Sequence, residues 1–519
     1  MPIRNAVALA NRRRRQASAG NSRMSAQVRQ REAPIGGLNT RDTFDNMKNE
    51  DAISLLNWVP GTGGLTVRQG YSSHATGVGS GDVLTVAEFN AAGTQKLIAF
   101  SDTAAYDATS AGSASSLKTG LTSNGRWDYV NMNGSIAFVD GANVPQVYDG
   151  STWGNLTISG SGLTVANIIG ITSFKGFSIV WEDDSADFWY SAARALGGTM
   201  TKFALSTIGS VASGGGKITA VESWTVDGGS GEDDFFVVIM STGQVILYAG
   251  TNPADADAWK LVGIYDMGKP TGRDTFINQS GDLMGLLGGD YKRITGETLK
   301  TGQTPRNESK MSGAAEEAQV LYGANLGWCA VRNKQYAVFN VPITTSTFQQ
   351  HVLNLATNAW TKFDSWNARC FGVYDGDIYF GEGSGKVFKA FSGDNDDGDG
   401  IAWEAQTSWD NLRSPAQKKM VGIRPVMTSQ DVLSLGIGLA FDFGVASSPQ
   451  QITQGTTGAL WDDAPWDSSS WSTEITAQKQ MRGASGSGIV VSAVIRGNTK
   501  NQTVKWFRTD FLWVPGGVM

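Results

Sequence analysis

Few side chains in this chain have the types and spacing that bond-making chemistry needs. Histidine is nearly absent, with only His74 and His351. His351 sits in FQQHVLNL at strand spacing and reads as an ordinary packed or exposed side chain. A histidine triad or zinc site would need partners that two isolated imidazoles do not supply. Cys329 and Cys370 make no disulfide framework and pair only if the fold brings them together. Their scarcity fits synthesis in a reducing compartment. No H-E-x-x-H, G-x-S-x-G, C-x-x-C or Walker pattern occurs.

The carboxylates offer two patterns to weigh. Asn395, Asp397, Asp399, Gly400 and Gln406 fall at the spacing of a calcium loop, but its first and last ligands are Asn and Gln. Two strong anionic ligands are therefore missing, and so are flanking helices. A solvated polar linker is the plainer reading. Asp183–Asp184 and Asp233–Asp234 are adjacent pairs in Gly-rich turns. Glycoside hydrolysis needs two carboxylates across a cleft, which adjacency does not give. YDGSTW (Tyr148–Trp153) comes near a sialidase box but places Gly directly after Asp. No catalytic residues, metal site or cofactor are expected.

The elements that must carry these residues are strands. In 519 residues there are 65 Gly and 17 Trp, and only 17% are charged, a composition of many turns and many aromatic contacts. The net charge of −6 is uneven. Residues 1–32 hold eight Arg and one Glu, +7, which leaves −13 for the rest. No apolar run is long enough for a membrane span, and no secretory signal is legible. Residues 1–32 read as a basic arm carrying Arg12, Arg13, Arg14 and Arg15. Such a run neutralises phosphates or carboxylates without sequence specificity, and no aromatics are interleaved with it for single-strand stacking.

Residues 33–72 read as a lead-in segment packed on the body. Within it NEDAISLLNW predicts a short helix capped by Asn49 and ended by Pro60. Residues 73–392 alternate strands with Gly, Asp and Asn turns, and Ser241-Thr242-Gly243 marks one hairpin. Trp153, Trp259 and Trp360 recur at gaps of 106 and 101, twice a blade of about 50 residues. The fold class is therefore all-β: a β-propeller of six or seven blades. Stacked sandwiches are the competing arrangement. Residues 393–519 read as a separate C-terminal antiparallel, sandwich-like β-domain. Its loop WDDAPWDSSSW, with Trp461, Trp466 and Trp471, is expected at a contact, because three exposed Trp would leave a large apolar patch.

Three stretches together resemble one family. The first holds GGLNTRD (Gly36–Asp42), Asn57-Trp58-Val59-Pro60 and Arg68-Gln69-Gly70-Tyr71. The second runs from Tyr248 to Asp282, with Gly250, Pro253, Trp259, Gly268, Pro270 and Gly272-Arg273. The third is the Trp461–Trp471 loop with the FLWVPGG ending. In this order they are similar to the packaged-DNA stabilisation proteins of short-tailed bacteriophages, the podovirus tail hub or nozzle family. Asn252 and Asp266 depart from the pattern, and the basic arm is an extension outside it.

The resemblance implies a structural virion protein made in the host bacterial cytoplasm and located in the phage tail. It implies a ring of identical subunits, a hexamer, below portal and adaptor, carrying tailspike or tail fibre proteins. DNA passes through its lumen without sequence-specific binding, and there is no small-molecule substrate. Partner contacts are expected from Arg12–Arg15, Arg41, Asp42, Trp58, Trp461, Trp466 and Trp471. An acidic lumen would keep DNA from sticking during ejection. A carbohydrate-binding or carbohydrate-cleaving propeller, with exposed Trp stacking on sugars, is the alternative.

Overall fold

Alternating strands and tight turns dominate the computed structural model. It describes residues 25–91, 93–122, 125–227, 232–279, 281–294, 309–446, 450–454, 476–478 and 480–516. Successive antiparallel meanders stand side by side around an axis. Their innermost strands are Val83–Ala91, Asp128–Met132, Ile168–Phe174, Ile218–Asp227, Phe276–Gln279, Cys329–Arg332 and Cys370–Tyr374, here blades 1 to 7. Each packs beside the next, and blade 7 returns to blade 1. Six of the meanders are sheets of their own. The remaining one, blade 6 (Cys329–Phe363), continues into a ten-stranded sheet shared with the second domain. The protein is an all-β propeller with a β-sandwich on its rim.

The propeller closes as a ring because an early strand joins the last blade. Tyr71–Thr76 pairs antiparallel with Val387–Ala390 and so completes blade 7. Apolar residues alternating along the strands fill the spaces between blades, as sheet-on-sheet packing requires. Phe89, Phe100 and Phe138 bury blade 1 against blade 2, and Phe236 buries blade 4 against blade 3. The recurring tryptophans mark alternate blades. Trp153 begins the outer strand of blade 2, Trp259 precedes that of blade 4, and Trp360 lies in that of blade 6. The 106- and 101-residue gaps are thus two blades each.

The second domain takes both ends of the described chain. Gln27–Glu32, Trp58–Gly61 and Gly64–Val67 join the long strands Lys418–Ser429 and Val504–Pro515 in one sheet. Asp51–Leu56 joins Ile401–Thr407, Leu433–Phe441 and Val491–Thr499 in the other. Trp58, Trp403, Trp506 and Phe511 fill the space between them.

Three sequence expectations change. The predicted helix at Asn49–Trp58 is two strands, Asp51–Leu56 and Trp58–Gly61. Asn57 stands between them at φ +59, which no helix accommodates. Leu55 and Ala52 reach the core through pairing with Ile401–Thr407, a tertiary override of local propensity. Residues 33–72 are not a separate segment laid on the body: they supply sandwich strands and start the strand that closes the propeller. The basic arm is also shorter than 1–32, since Gln27–Glu32 is a paired strand with Arg31 buried in it.

Candidate functional site

Two places in the fold gather polar side chains with unusual surroundings. The first is the joint between propeller and sandwich. Arg68 follows the strand Gly64–Val67, and its side chain is fully buried. A buried guanidinium must satisfy five N–H donors in a fixed plane, and here all five are used. Nε donates to Asn57 Oδ1 at 2.8 Å; Nη1 donates to Asp396 Oδ1 at 2.7 Å and Gln69 O at 3.0 Å. Nη2 donates to Asp396 Oδ2 at 2.7 Å and Asp364 O at 3.0 Å. The rings of Phe363 and Trp366 lie within 5.6 and 5.4 Å of the guanidinium carbon.

Asn57 completes this network. Its Nδ2 donates to Asp364 Oδ1 and to Ala402 O at 2.7 Å. One carboxylate, Asp396, thus ties the 393–400 turn to the lead-in strands. That turn, which the sequence suggests is a solvated linker, is docked. A Cβ on Gly70 would stand 1.6 Å from Asn395 O, so the backbones touch where only glycine fits. Asp397 Oδ1 accepts from the Ser73 amide at 3.0 Å.

The second place is the end of the propeller axis. A cavity of about 350 Å³ is lined by the starts of the inner strands, including Arg126, Asp128, Glu222, Arg273, Asp274 and Cys329. Arg273 reaches across it from blade 5. Its Nη1 donates to Ile169 O of blade 3 at 3.0 Å and its Nη2 to Arg126 O, at the start of blade 2, at 2.8 Å. Asp128 accepts from the amides of Ile171 and Tyr129, each at 2.9 Å.

Burial, then the nearby Asp274 charge, pushes Asp128 up to about 7, against an opposing pull from Arg273. Burial, then Asp128 and Asp274, pushes Glu222 up to about 8. Both side chains are half-buried, open to the cavity but surrounded by protein. Cys329 and Cys370 are free thiols, and burial raises both, Cys370 to about 12. Thiolate chemistry at neutral pH is therefore disfavoured.

The remaining sequence candidates scatter. Arg41 and Asp42 are adjacent in an exposed turn and pair with each other at 2.8 Å. Asn39 Nδ2 anchors this turn to Asp42 and to buried Asp51. Trp58 is not a partner contact. It is fully buried, edge-on to Trp403 at 4.9 Å and 6.1 Å from Trp506, so its apolar surface is spent on the sandwich core. Arg12, Arg13, Arg14, Arg15, Trp461, Trp466 and Trp471 lie outside the described residues.

His351 is buried, and its Nδ1 meets Tyr291 Oη at 2.8 Å; burial holds it well below the usual imidazole range. Asp149 accepts from the amides of Ser151 and Thr152, an ordinary hairpin turn. Among the described residues, no three His, Cys, Asp or Glu side chains are grouped to hold a metal ion. No helix there is long and apolar enough to cross a membrane.

No protein-family model and no curated protein matches the chain. Solved structures do align with it. A structure of PorZ, an essential surface component of the type-IX secretion system of Porphyromonas gingivalis, aligns at TM-score 0.38 and 12% identity. That alignment covers 62% of this chain and 38% of PorZ, well under two thirds of PorZ's length. YCF48 bound to D1 peptide aligns at TM-score 0.34 and 8% identity, over 65% of this chain and 96% of that one. YCF48 from Cyanidioschyzon merolae aligns at 0.27 and 11%, over 57% and 79%. Scores this low carry nothing about ligands or partners.

Proposed function

We propose that this chain is a structural subunit of a short-tailed phage tail, a nozzle or hub protein. It assembles as a closed ring, a hexamer, below portal and adaptor. The observation that carries the reading is where the family-like motifs fall. From the first motif group, Asn57, Arg68 and Gly70 meet at the joint that locks propeller to sandwich, with Trp58 in the sandwich core on one side and the Tyr71 ring against the last blade on the other. Gly272-Arg273, from the second group, bridges the propeller axis. Motif residues spent on rigidity suit a protein that bears mechanical load.

Two surface features support assembly. Gln27–Glu32 pairs on one side only among the described residues, and an open strand edge invites another chain. Phe44 and Phe443 stack at 6.2 Å while 49% and 46% exposed. The DNA path in this reading runs between copies, since Arg273 spans the axis of each propeller.

The described tryptophans lend no support to the carbohydrate alternative. Every described Trp is buried except Trp153, which is half-buried and stacked on Phe138 at 5.5 Å, so no Trp among the described residues offers a free sugar platform. The test is assembly with the adaptor at several salt concentrations, using the full chain and a chain lacking residues 1–24. The full chain should form rings, and removing the arm should weaken them and flatten their salt dependence. Unchanged assembly in the shortened chain would make the arm a passive tail. Sugar binding on a glycan array, without rings, would overturn the nozzle reading.

A further inference from the structure

The axial end of the propeller is where blades from opposite sides of the ring meet without a shared sheet. Asp128 opens the inner strand of blade 2 and accepts the Ile171 amide of blade 3 at 2.9 Å. Arg273, just before the inner strand of blade 5, donates to Ile169 O of blade 3 at 3.0 Å and to Arg126 O at 2.8 Å. The neighbouring Asp274 accepts the Ala330 amide of blade 6 through its carbonyl at 2.7 Å. Glu222 faces the same cavity from the inner strand of blade 4. Three carboxylates on three blades thus share one small space with Arg273.

We propose that Asp128 and Glu222, sharing the cavity with the carboxylate of Asp274, form a proton-linked latch at the propeller axis: holding protons, the two let the blades close around Arg273, and releasing them loosens that end of the ring. Three ionised carboxylates in one cavity repel each other, and protein walls screen them poorly. The other groups facing the space are Arg126 and Arg369, the Tyr129 phenol and the thiols of Cys329 and Cys370. Arg369 is engaged outside the cavity, with Asp82 at 2.8 Å and Thr345 O at 2.6 Å. Arg273 spends both its Nη atoms on carbonyls and sits 3.5 Å from Asp274. The cations therefore leave the carboxylate repulsion only partly offset.

The direction of the pH effect follows from the raised values of Asp128 and Glu222. The closed form holds protons that the open or unfolded form releases at ordinary carboxylate values. The stabilising contribution is full in acid and is lost as pH rises, until it levels off near the closed-form values of about 7 and 8. This inference rests on the fold and stands or falls independently of the phage reading.

The experiment is hydrogen exchange on the full chain, reading amide protection at Ile171 and Ala330 between about pH 5 and pH 9, corrected for intrinsic rates. Wild type should lose protection by up to roughly a hundredfold per pH unit below about pH 7, where both groups hold protons, by up to about tenfold between about pH 7 and 8, and flatten above that. Glu222→Gln should remove the slope between about pH 7 and 8 and roughly halve the logarithmic slope below it, and Asp128→Asn, which keeps an acceptor for the Ile171 amide, should roughly halve the logarithmic slope below about pH 7. Amides in the sandwich, such as Ala493, report whether a variant has disturbed the fold in general. A wild-type profile without slope would overturn the latch, as would an unchanged slope in both variants.

Discussion

Removing the charge of buried Asp396 should cost more than removing any other charge in the 393–400 turn. Asp396→Asn keeps shape but breaks the bidentate pair with Arg68. One of its two 2.7 Å contacts becomes an N–H facing an N–H. Arg68 cannot reach water, since its side chain has no exposed surface. Leaving one member of a buried pair unpartnered costs about 3–5 kcal/mol. The three neutral acceptors, Asn57 Oδ1, Gln69 O and Asp364 O, remain and set the result toward the lower end. The assay is urea denaturation followed by tryptophan fluorescence, with limited proteolysis at residues 392–400 to localise the loss. A cycle with Arg68→Met and the double variant isolates the pair. If Asp396→Asn stays within about 1 kcal/mol of wild type, the pair is not what holds the joint.

Gly70→Ala should prevent the turn from docking, because its Cβ would overlap Asn395 O; rapid cleavage near residue 395 or insolubility is the expected readout. Gly77→Ala, at φ +72 with open space around it, should cost only about 1 kcal/mol. Trp58→Ala should destabilise the sandwich by about 3–5 kcal/mol in denaturation while changing subunit affinity only through that loss. His351 should make the protein acid-sensitive. Its folded value is lowered, so the stability it contributes is present above the ordinary imidazole range and lost as pH falls through it. His351→Phe should reduce the fall in unfolding midpoint below about pH 6, and an equal fall in both proteins would remove His351 as the cause.

The propeller was legible because its signals are local. Hairpin turns, strand alternation and the doubled tryptophan period each concern one or two blades, and all three survive in the structure. The sandwich was half legible. Its C-terminal strands stand out, but its N-terminal ones pair with partners more than 300 residues away, as Asp51–Leu56 does with Ile401–Thr407. Spacing cannot report such pairing, so DAISLL read as helix.

The joint was visible in part: Arg68 and Gly70 sit in a quoted motif, yet nothing in DNDDGDG shows that Asp396 turns inward to meet them. The resemblance made Trp58 a contact residue, and a motif does not tell a core position from an interface. Glu222 is a carboxylate inside the strand run KITAVESW, where alternation puts it on the same face as Ala220 and Trp224, both buried. The perturbed carboxylates of Asp128 and Glu222 depend on seven chain segments converging, and no linear pattern records that.

Direct imaging of the purified full-length chain with its adaptor, by mass photometry and negative-stain electron microscopy, tests the nozzle proposal most plainly. The expected result is a population of closed rings with a central channel, propellers in the wall and sixfold images dominant. Monomers at all salt concentrations and with adaptor present would contradict it.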